Sequence, residues 1–291
     1  MPDVTGWLTD PYAFDFMRRA LLASLLVGAI APLVGVWIVL RRLAYLGDAM
    51  SHATLSGVAV AYLAGWSITL GAVAAGLVMA ALMALLASHP RLQEDSIIGT
   101  VSVGLFATAI ILISSQDSIG VDLSHFLLGS VTTVTPADLT LNAILGGLAA
   151  LAILVVFSDL RAASFDPLHA GLVGIRVGAM RCALYATLAV TVVLALQTVG
   201  LLMAVALLVI PAAAARLWTR TVAAMSMLAA ALGVTACLAG LTLSLHAASP
   251  PGATIALVAV ALLAGSFVAT RPRRGTRAAA HVADLHPANA S

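Results

Sequence analysis

Apolar residues follow one another along most of this chain in stretches of about 20 positions, and short polar stretches separate them. A helix of that length spans hydrocarbon about 30 Å thick, and within lipid only helices and closed barrels satisfy all their backbone hydrogen bonds. The stretches are too long and too uniformly apolar for the strands of a barrel. The pattern therefore predicts an all-α fold, a polytopic integral membrane helical bundle.

Nine membrane-spanning segments are predicted from this pattern. The second is short, and residues 124–134 form a further short apolar stretch that could turn back on itself as a half-helix. We therefore expect about nine transmembrane helices, within a range of eight to ten. They make one domain over 20–270, between an N-terminal segment, 1–19, and a polar, flexible tail, 271–291. The predicted spans are 20–40, 53–65, 68–88, 97–115, 137–157, 178–197, 199–218, 222–246 and 253–270.

Arginines in the loops predict the orientation of the chain, because positively charged residues stay on the cytoplasmic side. The loops at 116–123 and 247–252 contain no arginine. With nine spans, the tail is then cytoplasmic, the turn with Arg41 and Arg42 is cytoplasmic, and segment 1–19 is extracytoplasmic. Arg18 and Arg19 would then lie on the extracytoplasmic side, contrary to the preference of arginine for the cytoplasmic side. It is supported by the later arginines, which are Arg91, Arg161, Arg176, Arg216, Arg220, Arg271, Arg273, Arg274 and Arg277.

Composition restricts the function further. Only 9% of the residues are charged and 62% are hydrophobic, with a mean hydropathy of +1.10, whereas soluble domains have about 25% charged residues. All 14 basic residues are arginines. Without lysine the chain has no Walker A motif and cannot bind and split ATP by a P-loop. We therefore expect no ATPase site of this kind in the chain.

The stretch RRLAYLGDAMSHA at 41–53 concentrates charge in an apolar chain. Asp48 and His52 are four residues apart, which places both on one face of a helix. A carboxylate and an imidazole at this spacing suit a transition metal such as zinc or manganese. They equally suit a hydrogen-bonded pair at the start of a helix. Ionisable groups at membrane depth are costly, so either interpretation requires a partner or a function.

A second polar cluster lies at 121–138. Asp122 and His125 precede a short apolar stretch, and Thr135 and Pro136 are typical of the N-cap and first position of a new helix. A half-helix followed by a break brings polar backbone near a transport path in some carriers. An extracytoplasmic loop explains the same residues nearly as well.

A third cluster, SFDPLHAGLVGIRV at 164–177, is too short and polar to span a membrane. Asp166 suits an N-cap, Pro167 a first helical position, and Gly174 a helix end. The stretch predicts a short helix at the cytoplasmic surface, which is either a docking element for another protein or a connector. Further along, Pro211 lies within an apolar span and predicts a helix kink, although packing geometry alone explains it as well.

Taken together, these stretches resemble the permease subunits of bacterial ABC transporters for zinc and manganese. The resemblance covers the chain from about Phe16 to residue 270. More distantly, the order of elements is similar to that of the cobalamin and siderophore permeases. The matching motifs are RR-x-x-Y-x-GD-x-x-SHA at 41–53, FLLGS at 126–130, FDP at 165–167 with Ala170 and Gly174, VG-x-L at 199–202, ALLVIPAAAAR at 206–216 and SPPGATI at 249–255.

The resemblance implies a transport subunit that is not an enzyme and that forms a homodimer in the bacterial cytoplasmic (inner) membrane, surrounded by lipid. Two separate ATPase subunits would bind below it, and an extracytoplasmic metal-binding protein would deliver the cargo. Zn²⁺ or Mn²⁺ would be transported, with no permanently bound cofactor and no nucleic-acid partner. Asp48 and His52 would then belong to the metal path, with Asp122 and His125 as weaker candidates. The coupling element would comprise Phe165, Asp166, Pro167, Ala170 and Gly174.

Other interpretations stay open at this point. Family members often carry a glutamate where this chain has Leu168, so the polarity of the ATPase contact is in doubt. Zinc is slightly favoured over manganese. The alternatives are a permease for a chelated metal or a cobalamin-like cargo, and an ATP-independent secondary metal carrier. An intramembrane hydrolase with Ser51 or Ser56 as nucleophile and His52 or His246 as base is a weaker alternative, because adjacent residues such as Ser51 and His52 point to different helix faces.

Overall fold

The computed structural model describes residues 15–89, 91–114 and 135–270. Within these ranges every regular element is a helix, which confirms the predicted all-α fold. The helices are α1 (Asp15–Leu40), α2 (Leu46–Ala64), α3 (Ile68–Leu86), α4 (Glu94–Ser114), α5 (Pro136–Val155), α6 (Phe157–Phe165), α7 (Pro167–Leu172), α8 (Val177–Val199), α9 (Leu201–Trp218), α10 (Val222–Ala247) and α11 (Pro251–Thr270).

Each of the nine predicted spans corresponds to one long helix of the described ranges, and the short helices α6 and α7 lie between α5 and α8. Seven of the long helices are long and apolar enough to cross a membrane, and α9 contributes a shorter apolar stretch, Met203–Trp218. The chain is therefore a multi-pass membrane protein. The predicted span 53–65 covers only the later turns of α2, because this helix begins at Leu46 and includes Asp48 and His52, as their four-residue spacing predicted. The hydropathy of the chain left the polar first turns of α2 outside the predicted span.

The centre of the bundle is formed by α1 and α8. α1 packs against α5, α8, α9 and α10, and α8 also packs against α2, α3, α5 and α6. Trp37 of α1 and Tyr185 of α8 are fully buried. The outer helices expose many large apolar side chains, as expected of a surface that faces lipid.

Small residues allow the central helices to approach closely, which is the usual way in which helices associate within membranes. A Cβ atom at Gly35 of α1 would collide with the carbonyl oxygen of Leu208 in α9. Gly28 and Gly233 make the same kind of contact between α1 and α10. These contacts hold α9 and α10 against α1.

Several arginines meet at one end of the bundle, which we call the arginine end. Arg41 Nε donates a hydrogen bond to Ser164 Oγ, and Arg216 Nη1 donates to the Val39 carbonyl. Arg181 Nη1 donates to the carbonyl of Ala87, just beyond α3. The ends of α1, α3 and α9 and the start of α8 therefore lie together. This agrees with the alternation of sides that the nine-span prediction requires.

Local signals mark several helix ends as predicted. Thr135 caps α5 through a capping box, in which its Oγ1 accepts from the Asp138 N–H and its own N–H donates to Asp138 Oδ2 at 3.0 Å. Pro136 takes the first position of α5. α9 runs through Pro211 without interruption, so the kink stays a prediction.

Some of the sequence predictions fall outside the described residues. These are the half-helix at 124–134, the candidate ligands Asp122 and His125, most of segment 1–19 and the tail 271–291. The predicted orientation, with segment 1–19 outside and the tail inside, also stays a prediction.

Candidate metal site and docking helix

The candidate ligands Asp48 and His52 lie in the first turns of α2, just beyond the turn that contains Arg41. The helical spacing brings His52 Nε2 to 3.7 Å from Asp48 Oδ1. The His52 side chain is 35% exposed and that of Asp48 50% exposed. The structure therefore brings the two predicted residues together on a side of α2 that no described helix fully covers.

The imidazole of His52 is oriented by its neighbours. Its ring contacts Phe106 of α4 edge-on, with ring centroids 5.4 Å apart. Nδ1 is buried and has no hydrogen-bond partner among the described residues. The nitrogen that faces Asp48, Nε2, is therefore the one available to a ligand on the exposed side.

The rest of the α2 surface at this level is buried against its neighbours. Met50, Ser51 and Ala53 have almost no exposed surface. Ser102 Oγ of α4 donates to the Ala49 carbonyl at 3.2 Å, which ties α4 to the backbone of α2 beside the candidate ligands. In these first turns of α2, packing thus leaves Asp48 and His52 as the polar side chains that face outward.

The hydroxyls considered for a hydrolase are engaged within α2. Ser51 Oγ donates to the Gly47 carbonyl at 2.9 Å, and Ser56 Oγ donates to the Ala53 carbonyl at 2.8 Å. Both residues are buried. Among the described residues no histidine is hydrogen-bonded to either hydroxyl, so that part of the chain gives the hydrolase interpretation no support.

A complete metal site is not formed by the described residues of one chain. No group of three or more His, Cys, Asp or Glu side chains within 15–89, 91–114 and 135–270 could hold a metal ion. Zinc sites have three or four protein ligands, and magnesium or manganese sites use more oxygen ligands. Asp48 and His52 can therefore form only part of a binding site.

The predicted docking helix, α7, forms at the arginine end of the bundle. Asp166 Oδ1 accepts a hydrogen bond from the backbone N–H of His169 at 2.9 Å, and Pro167 takes the first helical position. Gly174 then adopts a left-handed φ of 89°, and the N–H of Ile175 returns to the Ala170 carbonyl. The predicted cap, first position and helix end are thereby confirmed.

The outer side of α7 and its flanks is apolar. Ala170 is fully buried and anchors the helix, while Leu168 is 78% exposed and Leu172 81% exposed. We call the exposed group the docking surface, which consists of Phe165, Leu168, Leu172 and Val173. Such a group of large apolar side chains at the polar end of a membrane protein is typical of an interaction site.

A polar cluster beside this helix was missed by the sequence analysis. Arg181 Nε lies 3.5 Å from Glu94 Oε1, and the Tyr185 hydroxyl donates to the same carboxylate oxygen at 3.3 Å. Glu94 is the only glutamate in the chain, and Arg181 lies within a predicted span. The lone glutamate and an arginine within an apolar span were the two features of the sequence that could have predicted this cluster.

Comparison with known proteins gives consistent matches. Residues 13–270 match the family described as the ABC 3 transport family. The manganese transport system membrane protein MntC of Halalkalibacterium halodurans is 38% identical over 96% of this chain and 98% of its own length. The chelated iron transport system membrane protein YfeD of Yersinia pestis is 31% identical over 86% of this chain and 84% of its own length.

A solved structure supports the same relationship. In PsaBC from Streptococcus pneumoniae in complex with Fab, a chain 32% identical to this one superimposes with a TM-score of 0.79. The match covers 91% of this chain and 95% of that chain.

Proposed function

The chain belongs to the ABC 3 transport family, and we propose that it is the permease subunit of an ATP-driven importer for a divalent transition-metal ion. Manganese is the first candidate, since the relatives named above include a manganese transport protein. The observation that carries the proposal is the Asp48 and His52 pair on the exposed side of α2.

The chemistry of this pair fits a metal cargo. A carboxylate oxygen replaces part of the hydration shell of a divalent ion and suits manganese, while imidazole suits zinc and iron and distinguishes transition metals from magnesium. An ion in transit must be released again, so a site with few protein ligands and some water is suitable. If Asp48 and His52 were only a hydrogen-bonded pair, two partly exposed polar side chains in a membrane-spanning helix would have no function.

A second copy of the chain would complete the site. In a dimer with two-fold symmetry, residues near the axis face their own counterparts. If α2 lies beside such an axis, both Asp48 and His52 pairs point into one path and together supply enough ligands for a divalent ion. The exposed side of α2 is then covered by the partner subunit, which accounts for polar groups on a surface that would otherwise meet lipid.

The energy source would be a separate ATPase, because this chain has no lysine for a Walker A motif. The docking surface suits such a partner. Leu168 and Leu172 would enter an apolar groove on each ATPase subunit, and burial of one leucine side chain contributes about 1.5–3 kcal/mol. The contact would be hydrophobic, since the exposed side chains Leu168 and Leu172 are apolar. An extracytoplasmic binding protein would deliver the ion.

Zinc and chelated iron are the other cargo candidates. One aspartate and one histidine suit both zinc and manganese, so the slight preference of the sequence analysis for zinc stays a prediction. A chelated iron cargo is favoured by the relative from Yersinia pestis. The aromatic content of this chain, 5%, does not favour a large organic cargo.

The proposal is tested by the metal content of cells. The chain is expressed with its ATPase and binding protein under limiting manganese, zinc or iron, and metal is measured by mass spectrometry. We expect manganese to rise, Asp48→Ala to abolish the rise, and Asp95→Ala, which removes an exposed carboxylate in the first turn of α4, to preserve it.

Other outcomes separate the alternatives. A rise in zinc alone would replace manganese as the cargo, and a rise in iron only with a chelator present would support the chelate interpretation. A rise without the ATPase would identify a secondary carrier. If no metal rises while the complex assembles and hydrolyses ATP, the proposal is wrong.

A further inference from the structure

One hydrogen bond joins the segment that carries the docking helix to the turn that leads into the metal-site helix. Arg41 Nε donates to Ser164 Oγ at 3.1 Å, although the two residues are 123 positions apart. Ser164 is in the last turn of α6, directly before Phe165 and Asp166. Arg41 lies between α1 and α2, on the approach to Asp48. A polar contact thus connects the two functional elements of the proposed importer.

Both partners of this bond are held in place. Ser164 Oγ donates in turn to the Leu160 carbonyl of α6 at 2.6 Å, so the hydroxyl is oriented with a lone pair toward Arg41. The backbone N–H of Arg41 donates to the Trp37 carbonyl at 3.0 Å, which continues the hydrogen bonds of α1. The bond therefore joins the end of α1 to α6 through the partly buried side chain of Arg41.

The hydrogen bond between Arg41 and Ser164 lies next to the polar cluster described above, which holds the neighbouring helices together. Arg181, Glu94 and Tyr185 link α8 to the start of α4, and Arg181 also holds the carbonyl of Ala87 beyond α3 at 2.7 Å. Arg41 is partly buried beside this cluster, so its guanidinium is partly shielded from water and feels the charges of Glu94 and Arg181. Within this partly dry environment a charged donor to a hydroxyl is stronger than a neutral bond.

We propose that Arg41 and Ser164 are positioning residues that transmit movement of the docking helix α7 to the start of α2, and thereby to Asp48 and His52. This inference rests on the proposed function. When an ATPase displaces α7, the end of α6 moves with it, because the two helices share the backbone between Ser164 and Pro167. The hydrogen bond then displaces the turn at Arg41. Without the bond, α7 and the first turns of α2 move more independently.

The experiment uses the whole complex of the chain with its ATPase and binding protein in proteoliposomes, with Mn²⁺ as the probe. Arg41→Gln removes the Nε donor and Ser164→Ala removes the acceptor. Arg42→Gln is a matched control that removes the same charge from the exposed neighbouring residue. Ser158→Ala removes an exposed hydroxyl of α6 that donates to its neighbour Asp159 at 3.2 Å.

Two quantities are measured for each variant. The first is Mn²⁺ uptake per ATP hydrolysed, with its apparent KM. The second is hydrogen exchange of the backbone at 41–50 with and without bound nucleotide. We expect uptake per ATP to fall about fivefold in both variants, as loss of one hydrogen bond of ordinary strength would cause, with the KM unchanged. The double variant should fall no further than the single ones.

The exchange measurement keeps the inference testable without transport. Bound nucleotide should change the rate of backbone hydrogen exchange at 41–50 in the natural chain and in both control variants. It should not change that rate in Arg41→Gln or Ser164→Ala. If exchange in those two variants responds as in the natural chain, or if the natural chain shows no response, the inference is wrong while the transport proposal can stand. If exchange behaves as expected but no Mn²⁺ enters, the manganese import proposal is wrong and the mechanical connection stands.

Discussion

The backbone of Gly57 in α2 lies directly against that of Gly71 in α3, so that a Cβ atom on either residue would collide with the carbonyl oxygen of the other. This contact holds α2, the helix that carries Asp48 and His52, against α3. Because lipid offers no hydrophobic driving force between helices, such close packing is a main source of their association. The position of the candidate metal site therefore depends on residues that never touch a metal.

Gly57→Ala should destabilise the protein by about 1–3 kcal/mol, since the added methyl group forces α2 and α3 apart. Thermal unfolding in detergent, followed by the loss of monodisperse protein, measures the change. Gly104→Ala is the matched control, because an added Cβ at Gly104 meets no atom within 4 Å. That variant should be as stable as the natural chain or slightly more stable. Equal stability of the two variants would contradict the close contact.

Ala248→Gly should stabilise the protein by about 1 kcal/mol. Ala248 ends α10 with a left-handed φ of 48°, a conformation that costs residues other than glycine about 1–2 kcal/mol. The midpoint of thermal unfolding should rise. Ala239→Gly, at an exposed position within the same helix, should lower it, because glycine costs about 1 kcal/mol there. A fall in both midpoints would argue against strain at Ala248.

Asp166→Ala should weaken binding of the ATPase partner, because α7 loses the side chain that accepts the His169 N–H. Loss of an N-cap costs about 1 kcal/mol of helix stability. Asp166→Asn keeps an oxygen that caps the helix and should bind nearly as well as the natural chain. The measurement is the affinity of the purified permease for the ATPase. Equal loss in both variants would mean that the carboxylate charge itself contacts the partner.

Leu172→Asp should reduce ATPase binding by about tenfold or more, because a leucine side chain buried at an interface contributes about 1.5–3 kcal/mol. The same affinity measurement applies. Leu92→Asp is the control, since Leu92 is also exposed at the arginine end, between α3 and α4. If the Leu92 variant binds as weakly as the Leu172 variant, the effect is general and the docking surface is not specific.

His52→Asp should change which ions compete for transport. The substitution replaces an imidazole, which suits zinc, with a carboxylate, which suits harder ions such as Mn²⁺. We expect Zn²⁺ to inhibit Mn²⁺ uptake less strongly in this variant than in the natural chain. His89→Asp, at an exposed position after α3, should leave the competition unchanged. Stronger inhibition by Zn²⁺ in the His52 variant would argue against a ligand role for this residue.

Much of the fold could be predicted from local features of the sequence. The long apolar stretches predicted nine long helices, because a segment within lipid must satisfy its own backbone hydrogen bonds. Thr135 and Asp166 marked two helix starts correctly, since an N-cap depends only on residues a few positions away. The hydropathy of the chain placed only the later turns of α2 in a span, and the four-residue spacing of Asp48 and His52 was the signal that its first turns are also helical.

Only the tertiary structure decided which distant residues meet. No local pattern pairs Arg41 with Ser164 or Glu94 with Arg181, because such contacts depend on how helices pack and rotate around α1 and α8. The helical spacing of Asp48 and His52 placed them on one face, but spacing could not tell whether that face is covered. Packing of α3, α4, α8 and α9 against α2 left it partly open, since side-chain volume and glycine contacts determine which surface each helix buries.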